Sequence, residues 1–303
     1  SAIIENDVNA VLKFVTASQT VSASKGGATA DFTATYTGLS TATDGGADAV
    51  TLNVTDIDIA SLTIAGVETV TLNAAGKAGD IDTFVADNLE TLVITGGVAD
   101  ATSTTETFAL GTNAGAANSA IEFDGLDTGE TGLINASAST GDVTLEVDDS
   151  FDFTATGGAG LLTISNDSAG AGAVTATAAV TITAGAGGVN ATIEGGANAA
   201  SATAMTLVSI TGSAAKDTVN IAGVINPTDI TATTAVDESK TTNATVTTGD
   251  GADAITIDAG VVNVDAGAGD DTITVSTWGA VTTADTIQLG TGDDTVVTSE
   301  ATL

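Results

Sequence analysis

Three segments combine residue types that together suit a hard cation: Gly249-Asp250-Gly251-Ala252-Asp253, Gly267-Ala268-Gly269-Asp270-Asp271 and Gly290-Thr291-Gly292-Asp293-Asp294. Each is followed by one residue and then by Ile255, Ile273 or Val296. Glycine tolerates positive φ, which turns backbone carbonyls toward the gap between neighbouring turns. Carbonyl oxygens from such turns, with one carboxylate each from Asp253, Asp271 and Asp294, make an all-oxygen cage of about six ligands. Calcium accepts irregular cages of this kind better than magnesium does. The expected metal residues are therefore Gly249, Gly251, Asp253, Gly267, Gly269, Asp271, Gly290, Gly292 and Asp294. Asp250, Asp270 and Asp293 are secondary candidates in the same turns.

Spacing places these groups relative to one another. Asp253 and Asp271 are 18 residues apart, and Asp294 lies 23 beyond Asp271, which is 18 plus an insertion of five. Between Gly249 and Asp294 there are nine acidic residues and no basic one. Carboxylates stacked at strand spacing repel, and divalent ions between them remove that penalty. The turn at Gly260 carries Val262 where an aspartate would sit, so metal is expected on one edge only. Three turns leave two intervening sites, the first between the 249 and 267 turns. Two variants extend the pattern. Gly212-Ser213-Ala214-Ala215-Lys216-Asp217-Thr218-Val219 is a degenerate copy. Its Asp217, a further secondary candidate for the metal, lies 36 residues before Asp253, two coils of 18, with Ala235 in the coil between. Thr43-Asp44-Gly45-Gly46-Ala47-Asp48 echoes the 248–253 turn and makes Asp48 an isolated candidate.

Composition closes other routes. The chain of 303 residues has 39 acidic and 5 basic residues, a net charge of −34, and neither His nor Cys. All five basic residues are lysines. Ser–His–Asp and Cys–His catalysis, thiolate or imidazole metal sites and disulfides are therefore excluded. A phosphate backbone needs a basic surface, so no nucleic-acid partner is expected. No run of about 20 strongly apolar residues exists, and no membrane insertion is expected. Asp127-Thr128-Gly129 matches the aspartic-protease tripeptide, but a second lobe is missing. Asp148, Asp149 and Asp152 beside Phe151 and Phe153 read as a solvated turn next to core rings. With no Arg and one Trp, a sugar-cleaving cleft is poorly supplied, and the chain is read as a non-enzyme.

The elements that must carry the turns are short strands. Val50-Thr51-Leu52-Asn53-Val54, Val143-Thr144-Leu145-Glu146-Val147 and Ile273-Thr274-Val275 alternate apolar residues with Thr or another polar residue, which puts one face inward and one outward. Helical periodicity is weak, and only Ile3 to Val15 is expected to form a short helix. Val67-Glu68-Thr69-Val70-Thr71-Leu72 returns 22 residues later as Leu89-Glu90-Thr91-Leu92-Val93-Ile94. Toward the C-terminus the period sharpens: Val246, Ile255, Val264 and Ile273 are each nine apart. A strand plus a tight turn uses about nine residues, and two such units close one coil of a flattened roll. The expectation is an all-β chain whose right-handed, C-terminal parallel β-roll continues a less regular β-solenoid or β-sandwich region. Its parts are residues 1–40, a candidate subunit-contact arm; 41–204, an irregular Ala/Thr/Gly-rich solenoid or sandwich; and 205–303, the cation-binding roll.

The three turns resemble the RTX nonapeptide, G-G-x-G-x-D-x-U-x with U a large apolar residue. Thr248, Ala266 and Leu289 stand where that pattern has its first glycine. The wider Ala/Thr/Gly/Val texture, with phrases such as Ile64-Ala65-Gly66-Val67-Glu68-Thr69-Val70, is similar to RTX-type bacterial surface-layer (S-layer) proteins. That resemblance implies calcium-dependent folding outside the cell, secretion by a type I system, and assembly with copies of itself into a two-dimensional array on the bacterial surface. A cell-surface polysaccharide is the candidate anchor. The alternatives are a secreted RTX adhesin or extracellular fibre subunit, and a β-helical polysaccharide-active enzyme.

Overall fold

The alternation of apolar and polar residues does produce strands, and nearly all of them pair in parallel with a strand one coil away. The computed structural model describes residues 2–5, 10–14, 20–24, 30–36, 48–55, 59–74, 80–86, 88–97, 107–110, 121–123, 126, 130–148, 152–166, 179–194, 207–222, 243–259, 261–278 and 286–298. The strands are β1 (Ala2–Glu5), β2 (Ala10–Phe14), β3 (Thr20–Ser24), β4 (Ala30–Tyr36), β5 (Ala49–Thr55), β6 (Ile59–Ala65), β7 (Thr69–Ala74), β8 (Asp80–Ile81) and β9 (Phe84–Ala86). They continue with β10 (Thr91–Gly96), β11 (Thr107–Leu110), β12 (Gly132–Ser139), β13 (Asp142–Val147), β14 (Phe153–Thr156), β15 (Leu162–Asn166), β16 (Ala179–Thr183) and β17 (Val189–Glu194). The last are β18 (Leu207–Thr211), β19 (Thr218–Ala222), β20 (Asn243–Thr247), β21 (Ala254–Ala259), β22 (Val261–Asp265), β23 (Thr272–Trp278), β24 (Thr286–Gln288) and β25 (Thr295–Thr298).

These strands form two parallel sheets that the chain visits in turn. The first has 12 strands, in the order β1-β3-β5-β7-β10-β12-β14-β16-β18-β20-β22-β24. The second has 13, running β2-β4-β6-β8-β11-β13-β15-β17-β19-β21-β23-β25, with β9 also paired to β6. The chain is thus an all-β parallel solenoid with one strand per sheet in nearly every coil. Pairing crosses the boundaries drawn from sequence: β3 pairs β5, and β16 pairs β18. The helix expected between Ile3 and Val15 is instead β1 and β2, each in parallel register with a strand of the next coil. Ile3, Ile4, Val8, Val11 and Val15 are β-branched, and a neighbouring strand offers the backbone partners that an isolated short helix lacks.

The core is a thin apolar seam between the sheets. Ile210, Val246 and Val264 stack in the first sheet, and Val219, Ile255 and Ile273 in the second; all are buried. The nine-residue step is therefore the alternation between sheets. The 22-residue repeat is also a coil, since Thr69 pairs Thr91 and Leu72 pairs Ile94. Outward positions carry hydroxyls: Thr154, Thr181, Ser209 and Thr245 form one column, and Thr156, Thr183, Thr211 and Thr247 the next. Farther toward the N-terminus the Asn73 amide donates to Asn53 Oδ1 at 2.9 Å, and the Thr95 hydroxyl to Asn73 Oδ1 at 3.3 Å. Coils differ in length, yet the paired strands keep the inner columns continuous. No helix occurs among the described residues, and none is long and apolar enough to cross a membrane.

Candidate functional site

The second sheet builds the site. Thr218 pairs Ala254, Ala254 pairs Thr272 and Thr272 pairs Thr295, which stacks Asp217, Asp253, Asp271 and Asp294, each one residue ahead of its paired neighbour. All four lie in turns that lead into this sheet. Two residues on stand Val219, Ile255, Ile273 and Val296. By strand alternation the carboxylates therefore share the inward side, and Asp217, Asp253 and Asp271 are only 0%, 2% and 1% exposed.

Backbone hydrogen bonds hold one oxygen of each carboxylate, always from the preceding coil. The Val189 N–H donates to Asp217 Oδ1 at 2.7 Å, and the Asp217 N–H to Asp253 Oδ1 at 2.7 Å. The Asp253 N–H donates to Asp271 Oδ1 at 2.9 Å, and the Asp271 N–H to Asp294 Oδ1 at 3.1 Å. The result is a one-way ladder. The second oxygens differ. Oδ2 of Asp253 and of Asp271 is buried and has no hydrogen-bond partner. An unsatisfied buried polar atom costs about 1–3 kcal/mol, more when charged. Like charges at the ~4.8 Å strand spacing add on the order of 3 kcal/mol at an effective dielectric constant of about 20.

This crowding moves proton affinities. Burial pushes the Asp271 carboxyl above its ordinary value; the Asp253 N–H pulls it down, and the charges of Asp253, Asp294 and Asp270 push it up again. Asp217 is also raised, chiefly by burial, against the N–H groups of Ser213 and Val189 and with a further push from Asp253.

The glycines of the turns behave as their spelling requires. Gly249, Gly251, Gly267, Gly269, Gly290 and Gly292 have φ of 100°, 131°, 86°, 133°, 85° and 142°. A Cβ on Gly267 or Gly269 would collide with the carbonyl of Gly249 or Gly251 in the turn before. Two of the carbonyls expected to serve a cation also tie turns together: Gly249 O accepts from the Ala268 N–H at 2.8 Å, and Gly267 O from the Thr291 N–H at 2.9 Å. Each retains a second lone pair. The five-residue insertion leaves the stack intact, since the Gly269 N–H still reaches Thr291 O at 2.8 Å.

Other candidates fall elsewhere. Asp250, Asp270 and Asp293 are exposed on the outer side of the turns, and the Asp293 N–H donates to Asp270 Oδ1 at 2.9 Å. Asp48 precedes β5, a strand of the first sheet, so it sits on the opposite edge; its N–H donates to Glu68 Oε2 at 2.8 Å. Asp44 lies outside the described residues, as do Gly260 and Ala235. The expected coil between Asp217 and Asp253 is not there: β19 and β21 pair directly, and the 36 residues make one long coil. Asp217 is therefore the next rung of the ladder.

Sequence reasoning missed what this column is farther back. Phe108, Val143, Leu162 and Val189 stack in register and lead to Asp217. The same inner column is apolar for four coils and acidic for the next four. Unequal coil lengths hide that continuity from any fixed period. Asp142 and Asp152 are isolated acceptors, of the Leu161 N–H at 2.8 Å and the Ala179 N–H at 2.7 Å.

Among the described residues no three carboxylates gather into one cluster. A cation here would draw one carboxylate per coil and fill its shell from backbone carbonyls. The donor set is all oxygen, and two of its carboxylate oxygens are buried without partners, which fits a hard divalent ion. Fold and site together define an all-β parallel solenoid with a ladder of aspartates sunk into one edge. No family model matches the chain, and neither a curated protein nor a solved structure matches it.

Proposed function

We propose that the protein is a structural, calcium-binding component of a bacterial cell surface that assembles with copies of itself into an S-layer-type array. The observation that carries the calcium part is the pair of buried, unpartnered oxygens on Asp253 and Asp271, in glycine turns that resemble RTX repeats. Asp253, Asp271 and Asp294, with carbonyls of the 249, 267 and 290 turns, would hold the ions. A bound divalent ion supplies positive charge to oxygens that lack any other partner. The assembly part draws support from the resemblance in texture and from the charge of −34, which makes separate chains repel until cations lie between them.

Extracellular calcium modules often bind at about 10⁻⁴–10⁻³ M, so the acidic coils would order after export from the calcium-poor cytosol. The test is hydrogen exchange and electron microscopy of the protein with millimolar calcium and with EGTA. Expected are protection of residues 243–298 that chelation removes, and sheets that chelation disperses. Exchange indifferent to EGTA would remove the intrachain role. Calcium-bound single particles or threads would replace the array with an adhesin or fibre subunit.

A further inference from the structure

The four aspartates of the ladder are not equivalent, and the difference sits in the turn ahead of each. In the 212–217 turn the Ser213 N–H donates to Asp217 Oδ2 at 2.8 Å, while the Val189 N–H holds Oδ1 at 2.7 Å. Both oxygens of this carboxylate, fully buried, are thus held by backbone N–H groups. The Ser213 hydroxyl fixes the turn by accepting the Ala215 N–H at 3.0 Å. Gly212 lies against Asp217 Oδ2, and a Cβ there would displace the carboxylate. Aligned on the aspartate, the place of Ser213 is taken by Gly249 and Gly267 in the next two turns. Their φ of 100° and 86° re-aims the peptide group ahead of them. The bond that Ser213 makes has no counterpart there, since Asp253 Oδ2 and Asp271 Oδ2 have no partner.

We propose that the 212–217 turn is a cation-free cap on the ladder, a preformed end on which the cation-dependent coils order in sequence. This rests on the calcium reading of Asp253 and Asp271 and adds where dependence on the ion begins. The polarity of the ladder gives the direction. Asp253 needs the Asp217 N–H, Asp271 needs the Asp253 N–H, and Asp294 needs the Asp271 N–H. Each rung is positioned by the rung before it. Asp217 alone is positioned by a coil that has no ladder carboxylate, at Val189. The cap supplies with two N–H groups what the later rungs lack on one side.

The test uses the full chain and the variants Asp217→Asn and Asp253→Asn, with calcium binding counted by equilibrium dialysis and amide exchange followed in EGTA. The parent in EGTA should keep the Val189 and Ser213 amides protected while residues 243–259 exchange freely. Asp217→Asn should bind as many ions as the parent, yet its Val189 and Ser213 amides should exchange at least about tenfold faster in EGTA. Asp253→Asn should lose bound calcium and leave those two amides as they were. A lower calcium count in Asp217→Asn overturns the cap, and so does free exchange of residues 207–222 in the parent without calcium. The parent's own exchange decides the matter even where a variant fails to fold. A parent that binds no calcium overturns the reading beneath, and the cap with it.

Discussion

One inner column runs through two regions of this molecule with opposite chemistry. From Phe108 through Val143 and Leu162 to Val189 it is apolar and buried. From Asp217 through Asp253 and Asp271 to Asp294 it is a stack of carboxylates in the same register. The backbone is nearly indifferent to the change, because parallel pairing continues through both and the inner column beside it stays apolar, from Leu110, Leu145, Ile164 and Ala191 to Val219, Ile255 and Ile273. What changes is how the inner surface is satisfied. In the first region side-chain burial suffices, at about 1.5–3 kcal/mol for each large apolar side chain. In the second, hydrogen bonds reach both oxygens of Asp217 but only one each of Asp253 and Asp271, whose buried Oδ2 atoms need a partner that the chain does not supply. Gradual loss of apolar character would have weakened the solenoid everywhere. A sharp switch at one coil confines the dependence on an outside partner to one end of the stack.

The comparison breaks most severely if a carboxylate is placed in the apolar region. Leu162→Asp puts a charge into a column whose preceding turn, Gly157-Gly158-Ala159-Gly160, has no glycine at positive φ, unlike the turns at 249 and 267, and should destabilise the fold by about 3–5 kcal/mol. Thermal melts should show the same loss with calcium and without; a recovery on adding calcium would mean that any buried aspartate in this solenoid can recruit an ion. The reverse exchange sharpens the contrast at a smaller scale. Extending the apolar column with Asp253→Val and Asp271→Val together removes the buried charges but also the acceptors of the Asp217 and Asp253 N–H groups, so it should raise the stability of the EGTA-treated protein by no more than about 1–2 kcal/mol. The same variant should lose the difference between its melts with calcium and with EGTA.

The smallest effect is the pH response of the acidic region without calcium. Asp217 and Asp271 hold their protons more tightly when folded than the ordinary value of 3.8. The folded chain therefore carries more protons than the unfolded one in the range just above that value, and stability falls as pH rises through it. EGTA-treated protein should melt at a higher temperature near about pH 4 than at neutrality. Saturating calcium should flatten or invert the slope, since protons and the ion compete for the same oxygens. A calcium-free melting temperature that climbs with pH would show that these carboxylates gain more from the backbone N–H groups than they lose by burial.

Much of this was legible in the residues. Val246, Ile255, Val264 and Ile273 at steps of nine disclose two sheets visited in alternation, and Asp253 with Asp271 at 18 discloses the stack. The reason is local: these coils have minimal turns, so distance along the chain maps directly onto distance along the axis. The neighbour relation of Asp217 and Asp253 was hidden because 36 residues equal two minimal coils, while the chain spends them on one. The kinship of Val189 and Leu162 with the aspartates was hidden likewise, since their coils span 28 and 27 residues. The strands β1 and β2 were misread because a short apolar segment shows its period only once a neighbouring strand selects it. The two unpartnered oxygens could not be read at all, because they follow from which backbone N–H groups the turn leaves pointing inward.

The unequal coils have a consequence for the size of the object. Twelve strands at ~4.8 Å give a rod of roughly 50 Å, and that figure counts turns of the winding, not residues. Extra residues between paired strands leave its reach unchanged. Deleting one whole winding would shorten it by a single rung. Such a molecule is a ruler with fixed graduations, and chain can be added between its strands without changing what it measures.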